Sequence, residues 1–145
     1  MKLVPLELIK AAQNSYREFK VLPSISLAQG ILESAWFTKC SGKYNFFGIK
    51  AKSGTITWTH EYIDGKFTAV QQVFANYNCP QDAFDAHAEL LSDPEGHYVK
   101  ALPFLGQLES FVKAIAPIYA TDPNYAVNLL NLIHVDNLQK YDIES

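Results

Sequence analysis

A chain of 145 residues with a net charge of −3, 48% apolar residues and two cysteines fits one compact domain over residues 1–145. Such a chain buries roughly 70% of the surface its unfolded form exposes. This balance excludes disorder, and without a Lys/Arg cluster to neutralise phosphates it excludes nucleic acid as a partner.

The N-terminal stretch MKLVPLELIKAAQ is broken by Pro5, Glu7 and Lys10 and is followed by no small-residue cleavage site, so it does not read as a secretory signal. No run approaches the ~18 uninterrupted apolar residues of a membrane span. Leu3, Leu6, Ile9, Ala12, Tyr16 and Phe19 recur at steps of three and four and predict an amphipathic helix from Pro5 to Phe19. Pro23 breaks the chain, and Ser24 is the expected N-cap of a second helix carrying Glu33. From Lys39 to Lys52 the glycines at 42 and 48 and the lack of a period predict a loop, packed through Tyr44, Phe46, Phe47 and Ile49. Thr55 to Ile63 and Phe67 to Phe74 alternate with period two around Asp64-Gly65, a type I′ hairpin signal. A two-residue turn there pairs Ile63 with Lys66, Tyr62 with Phe67 and Glu61 with Thr68, and puts Tyr62 and Glu61 on opposite faces. Helices are expected over Pro80–Leu91, Leu108–Tyr119 and Asn124–Leu138, the last opened by Asp122-Pro123. The fold class is α+β, mainly α.

The segment SLAQGILESAWF places one glutamate in an apolar helical run. At 100° per residue from Ile25, the apolar positions Ile25, Ala28, Ile31, Leu32, Ala35 and Trp36 form a stripe centred near Leu32, with Glu33 about 80° from Ile25, at its edge. Its turn neighbours are Gln29, Trp36 and Phe37, so aromatic surface brackets the carboxyl. Such a site favours the protonated form, which is what a general acid for glycosidic cleavage needs. A boundary glutamate that extends to water satisfies the same spacing. A glycosidase usually requires a second carboxylate, and Glu61 near the hairpin tip is the candidate, although a strand residue facing solvent reads the same way. Cys40 and Cys79 are too few for a disulfide framework; free thiols are expected, and a pair in an oxidising compartment stays open. No nucleophile motif surrounds either, which ranks a Cys/His hydrolase using His60, His87, His97 or His134 last. His87 and Glu89 lie two apart on a helix and share no face, so no metal site, and no cofactor, is expected.

Taken in order, ILESAW (31–36), YNFFGIKA (44–51), THEYIDGKF (59–67) and YATDPNYA (119–126) resemble the N-acetylglucosaminidase domains of glycoside hydrolase family 73, which includes flagellum-associated peptidoglycan hydrolases, autolysins and phage lysins. The resemblance runs from about Ser24 to Leu138. It implies a lysozyme-like helical domain with one small β-hairpin lobe. It also implies that Glu33 is the catalytic acid of an ALESGWG-like helix, that Asn45–Ala51 wall the cleft, and that Glu61 matches a second carboxylate in a TTEYENG-like strand. Tyr119 would stand near the sugar and the acid, with Tyr125 following. Two departures are visible: Ala35 and Phe37 replace the glycines usual around the tryptophan, and the loop from Gly48 to Glu61 is short.

The mechanism expected from this resemblance is hydrolysis of the β-1,4 bond after N-acetylglucosamine in peptidoglycan. Glu33 protonates the leaving oxygen, Glu61 activates water or stabilises the oxocarbenium charge, and Tyr119, Trp36 and Phe47 shape the sugar sites. Gln29, Asn45 and Tyr125 complete the expected substrate-binding set. A muramidase or lytic transglycosylase using the same glutamate, and a wall-binding module without turnover, remain open. A wall hydrolase made in the cytoplasm without an export signal would be delivered by a phage, a flagellar protein or a secretion machine. As an antibacterial effector it would need an immunity protein plugging its cleft.

Overall fold

The computed structural model describes residues 3–143. Five α-helices surround one core: α1 (Leu6–Phe19), α2 (Pro23–Ser34), α3 (Pro80–Ser92), α4 (Leu108–Tyr119) and α5 (Tyr125–Val135). A two-stranded antiparallel hairpin, β1 (Lys50–Ile63) and β2 (Lys66–Phe74), is inserted between α2 and α3. Short 3-10 helices at Val99–Phe104 and Leu138–Asp142 were not legible in the hydrophobic pattern.

The centre of the fold is α2. Every residue from Pro23 to Ile31 is buried, as expected of a helix packed on all sides rather than along one stripe. It lies against α1, α3, α5 and the terminal 3-10 helix. The expected stripe centred on Leu32 is therefore corrected: Leu32 is exposed, and the helix already ends at Ser34. Ser24 is not the N-cap either. Pro23 occupies the first turn after the cap residue Leu22, while the amide and hydroxyl of Ser24 both donate to the Asp142 carboxylate at 2.7 Å and tie the helix start to the C-terminal segment.

The α1 stripe is rotated from its expected position, with Leu8, Ile9, Ala11, Ala12 and Ser15 buried but Leu3 and Leu6 exposed. Polar bonds hold α1 to α3: Ser15 Oγ donates to Asp85 Oδ1 at 2.7 Å, and Gln81 Nε2 donates to the Ala11 carbonyl at 3.1 Å. Helix α5 begins at Tyr125, one residue later than expected, because the Asp122 carboxylate accepts the Asn124 amide at 2.8 Å in a turn ahead of it. It ends at Val135, short of the expected Leu138, which opens the terminal 3-10 helix instead.

The hairpin has the expected register, Ile63 with Lys66, Tyr62 with Phe67 and Glu61 with Thr68. Asp64 and Gly65 take φ values of 51° and 76°, as a type I′ turn demands. β1 starts earlier than expected, and Lys50 and Thr55 both oppose Phe74, so the residues between them bulge out of the ladder. Gly54 makes this possible, since a Cβ there would lie 2.1 Å from the Phe74 carbonyl oxygen. Trp58, Tyr62 and Phe67 stand exposed on one face, whereas Thr57, Thr59 and Glu61 on the other are partly covered. Cys40 and Cys79 are free thiols.

Candidate active site

Glu33 stands where the buried helix emerges. The residue is open to solvent on one side, but enough protein surrounds the carboxyl that burial raises its pKa above the usual glutamate value. Past Ser34 the chain leaves the helix through three consecutive residues in the left-handed region, Ala35, Trp36 and Phe37, with φ of 49°, 59° and 65°. Three such non-glycine residues in a row are strained. Ser34 holds them: its hydroxyl donates to the Gly30 carbonyl at 2.5 Å and accepts the Phe37 amide at 2.7 Å, and its carbonyl accepts the Lys39 amide at 2.8 Å. Trp36 is therefore not one helical turn beyond Glu33 but in a reversal that folds it, half-buried, against the core.

Glu33 opens into a groove of about 460 Å³ whose walls are Phe47, Gly48, Ile49, Lys50, Leu90, His97, Tyr98 and Tyr119. Segments distant in sequence, the loop after α2 with the start of β1, α3 with the turn after it, and the end of α4, thus meet around one carboxyl. The Tyr119 hydroxyl is pushed well above its ordinary pKa, chiefly by burial and further by Tyr125, Glu33 and Tyr98. Tyr119 and Tyr125 stack with ring centroids 5.6 Å apart, and the Tyr125 hydroxyl is likewise raised by burial and by Glu33. Both tyrosines are consequently neutral hydrogen-bonding groups within electrostatic reach of Glu33.

The expected substrate-binding set divides into groove residues and internal ones. Gln29 is fully buried, with Nε2 donating to Tyr125 Oη at 3.2 Å and Oε1 facing His87 Nε2 at 2.7 Å, so it has no surface to offer a sugar. Asn45 is 1% exposed and clamps the hairpin root. Its Nδ2 donates to the Ile49 and Ala75 carbonyls at 2.9 and 3.0 Å, and its Oδ1 accepts the Ile49 amide at 3.1 Å. Both residues are corrected from sugar-binding to internal roles, because each side chain already uses its polar atoms inside the protein. Phe47 lines the groove but is mostly core, its ring stacked on His87 at 4.0 Å. Tyr125 is also mostly buried, behind Tyr119.

Glu61 is not part of the groove wall. It lies on the partly covered face of the hairpin, where its Oε1 accepts hydrogen bonds from Lys50 Nζ at 3.2 Å and Gln72 Nε2 at 3.1 Å. Lys50 does line the groove, so this bond ties Glu61 to its edge. Sequence reasoning had Lys50 in the cleft wall as part of Asn45–Ala51 but missed Leu90, His97 and Tyr98 as groove residues, and His87 behind it. The signal for His87 was its place in the apolar set Phe84, His87, Ala88 and Leu91 of α3, where a histidine must find an internal partner. Among the described residues no cluster of histidine, cysteine and carboxylate side chains could hold a metal ion.

Residues 9–138 match the glucosaminidase family model, described as mannosyl-glycoprotein endo-beta-N-acetylglucosaminidase. The chain belongs to this family of glycoside hydrolases. It is 33% identical to an autolysin of Enterococcus faecalis over 96% of this chain and 20% of that protein. It is 31% identical to the exo-glucosaminidase LytG of Bacillus subtilis over 90% of this chain and 50% of that protein. The chain thus spans a fifth to a half of the length of these two relatives. The catalytic domain of the Listeria monocytogenes autolysin Auto superposes with a TM-score of 0.80 at 25% identity, covering 97% of this chain and 90% of that one. This likeness includes the lysozyme-like arrangement of helices with one small hairpin.

Proposed function

We propose that this domain hydrolyses the glycan strands of peptidoglycan at the β-1,4 bond after N-acetylglucosamine, with Glu33 as the general acid. The observation that carries the reading is the position of Glu33: a single carboxyl in the groove wall, its pKa raised by burial, among the aromatic rings of Tyr98 and Tyr119. A protonated carboxyl can donate to the departing glycosidic oxygen, and general acid catalysis of this kind contributes roughly 10²- to 10⁴-fold. Pyranose rings present apolar C–H faces that suit aromatic walls, and the Tyr119 hydroxyl, kept neutral, can donate to a sugar oxygen or to the carboxylate left on Glu33. Family membership and the names of the relatives, autolysin and exo-glucosaminidase, support the substrate class.

Glu61 serves this reaction from the hairpin, activating water or stabilising positive charge on the sugar, and Lys50 and Gln72 hold its carboxylate in one orientation. The enzyme acts at the bacterial cell wall. Where it is used as an antibacterial effector, the groove around Glu33 is the place for an inhibitory immunity protein.

Digestion of purified peptidoglycan by the wild type and Glu33→Gln, followed by mass spectrometry of borohydride-reduced products, tests the assignment. Fragments ending in reduced N-acetylglucosamine from the wild type alone are expected. Reduced muramic acid or anhydromuramic ends would replace the bond assignment, and binding without any product would leave a wall-binding module.

A further inference from the structure

The hairpin is amphipathic in the reverse of the usual sense. An antiparallel sheet commonly turns its apolar face to the core and its polar face to water. Here Ile56, Trp58, His60 and Tyr62 alternate along β1 onto the face opposite Glu61, and their partners on β2 are Val73, Gln71, Ala69 and Phe67. That face looks outward: Trp58 is 65% exposed, Tyr62 77% and Phe67 64%. The polar face, with Thr57, Thr59 and Glu61, is the partly covered one. None of Trp58, Tyr62 and Phe67 lines the groove around Glu33.

Pairing within the hairpin accounts for part of this patch only. Phe67 meets Tyr62 with ring centroids 5.2 Å apart and stacks parallel on His60 at 5.0 Å, contacts of the kind that hold two strands together. Trp58 stands opposite Gln71 and, among the described residues, meets no other ring. At ~150–250 Å² per aromatic side chain, the open parts of Trp58, Tyr62 and Phe67 offer on the order of 400 Å², and an apolar patch of that size marks an interaction site. A stable protein interface takes about 800 Å² from each partner, twice what the patch offers, so a second copy of this chain or another folded domain is a poor fit. No Asp, Glu, Lys or Arg lies on this face, so it selects no charged partner either. Trp58 and Tyr62 lie ~13 Å apart along the strand with His60 between them, so the row suits an extended chain rather than one small molecule. Uncharged pyranose units fit such a row: their apolar C–H faces stack on open rings, and their hydroxyl and acetamido groups stay in water or meet His60 and Gln71 on the same face.

We propose that this outer face of the hairpin is a second sugar-binding surface, with Trp58 as its anchor and Tyr62 and Phe67 beside it, that holds N-acetylglucosamine units of a glycan strand outside the groove. The inference rests on glycan strands being the substrate of the proposed reaction. Such strands are long and repeat the same sugars, so a contact outside the groove keeps the domain on the polymer between cuts and raises the local concentration of bonds within reach of Glu33. The hairpin then meets glycan on both faces, through Glu61 at the groove edge and through Trp58 away from it.

The test is retention on purified insoluble peptidoglycan, measured by co-sedimentation in a Glu33→Gln background so that nothing is cut. Trp58→Ala should lower retention roughly tenfold, the scale of losing one anchoring aromatic contact, and Tyr62→Ala should lower it by less. Trp58→Phe, which keeps a flat ring, should stay close to the parent protein, and soluble β-1,4-linked N-acetylglucosamine oligomers should displace it. With Glu33 intact, Trp58→Ala should digest the insoluble polymer more slowly, yet release ends at the wild-type rate from a short soluble glycan fragment that fills only the groove. Unchanged retention in folded Trp58→Ala overturns the proposal. So does an equal loss on the short fragment, which would mean a damaged groove, or self-association of the wild type that Trp58→Ala abolishes, which would make a second copy the occupant. If Trp58→Ala does not fold, Tyr62→Ala combined with Phe67→Ala is read in the same way. Trp58-dependent retention of a wild type that digests no peptidoglycan would remove the proposed function and leave the surface standing, and digestion with retention independent of Trp58 would do the reverse.

Discussion

The two carboxylates of interest sit in opposite physical settings. Glu33 lies at the end of a helix buried on all sides, and among the described residues no ion pair or hydrogen bond holds it charged, so burial sets its behaviour. Glu61 lies on a two-stranded hairpin with little core beneath it, where an ion pair and an amide hold it in place. Glu33 is open to solvent on one side, yet the protein packed beside it raises its pKa, whereas Glu61 is partly covered and has polar partners of its own. By this contrast, burial acts on Glu33 at the end of the helical body, while Lys50 and Gln72 act on Glu61 on the hairpin.

Neutralising each carboxyl in turn puts the largest strain on that contrast. Glu33→Gln should lower kcat by roughly 10²- to 10⁴-fold, and Glu61→Gln by clearly less, as measured by release of reducing ends. Equal losses would place both residues at the reacting bond. The activity carried by Glu33 should persist above the ordinary glutamate range and be lost as pH rises through its raised pKa. Because the folded pKa lies above the unfolded one, the charged carboxyl opposes folding at neutral pH, and Glu33→Gln should unfold at the same or a higher temperature than the wild type there.

Packing separates the body from the hairpin next. Phe84 is 0% exposed in the body, and Phe84→Ala should cost about 3–5 kcal/mol in denaturant unfolding. Trp58 on the hairpin is 65% exposed, and Trp58→Ala should change stability by roughly 0.5 kcal/mol or less.

Acid should act on the body through His87. Its pKa is lowered to about 3 from an unfolded value of 6.5, so its contribution to stability is present above pH 6.5 and is lost as pH falls from there toward 3. Thermal unfolding across that window should show a steeper loss in the wild type than in His87→Phe.

Smaller effects concern the reversal after α2 and the hairpin ion pair. Ala35 has φ of 49°, and Ala35→Gly should stabilise the protein by up to about 1 kcal/mol, since relief of left-handed strain outweighs the added freedom of the unfolded chain. Lys50 and Glu61 are 58% and 41% exposed, so Lys50→Met should alter stability by only ~0.5 kcal/mol while lowering activity if the pair aligns Glu61.

Local signals read well where local physics is sufficient. The hairpin register followed from Asp64-Gly65 and the alternation around it, because a two-residue turn fixes every pair that follows. The α4 boundaries at Leu108 and Tyr119 followed from its period. Glu33 stood out as a lone carboxyl in an apolar run. Gln29 and Asn45 misled for one reason: a polar side chain on a motif looks the same whether it faces a ligand or satisfies a buried neighbour. The left-handed run from Ala35 to Phe37 was also hidden, since alanine and phenylalanine give no sign of positive φ, although the departure from the usual glycines marked both positions.

Periodicity and turn chemistry, which act over a few residues, were enough to specify the class of fold, the hairpin with its register, and the lone glutamate of the second helix. Chain packing was needed to bury α2 on every side and to bring Lys50, His97, Tyr98 and Tyr119 around Glu33. The internal chain of His87 and Gln29 behind the groove likewise exists only once α2 and α3 meet. Those outcomes depend on which faces of distant helices come together, and desolvation of a carboxyl is a property of everything packed around it rather than of its neighbours in the chain.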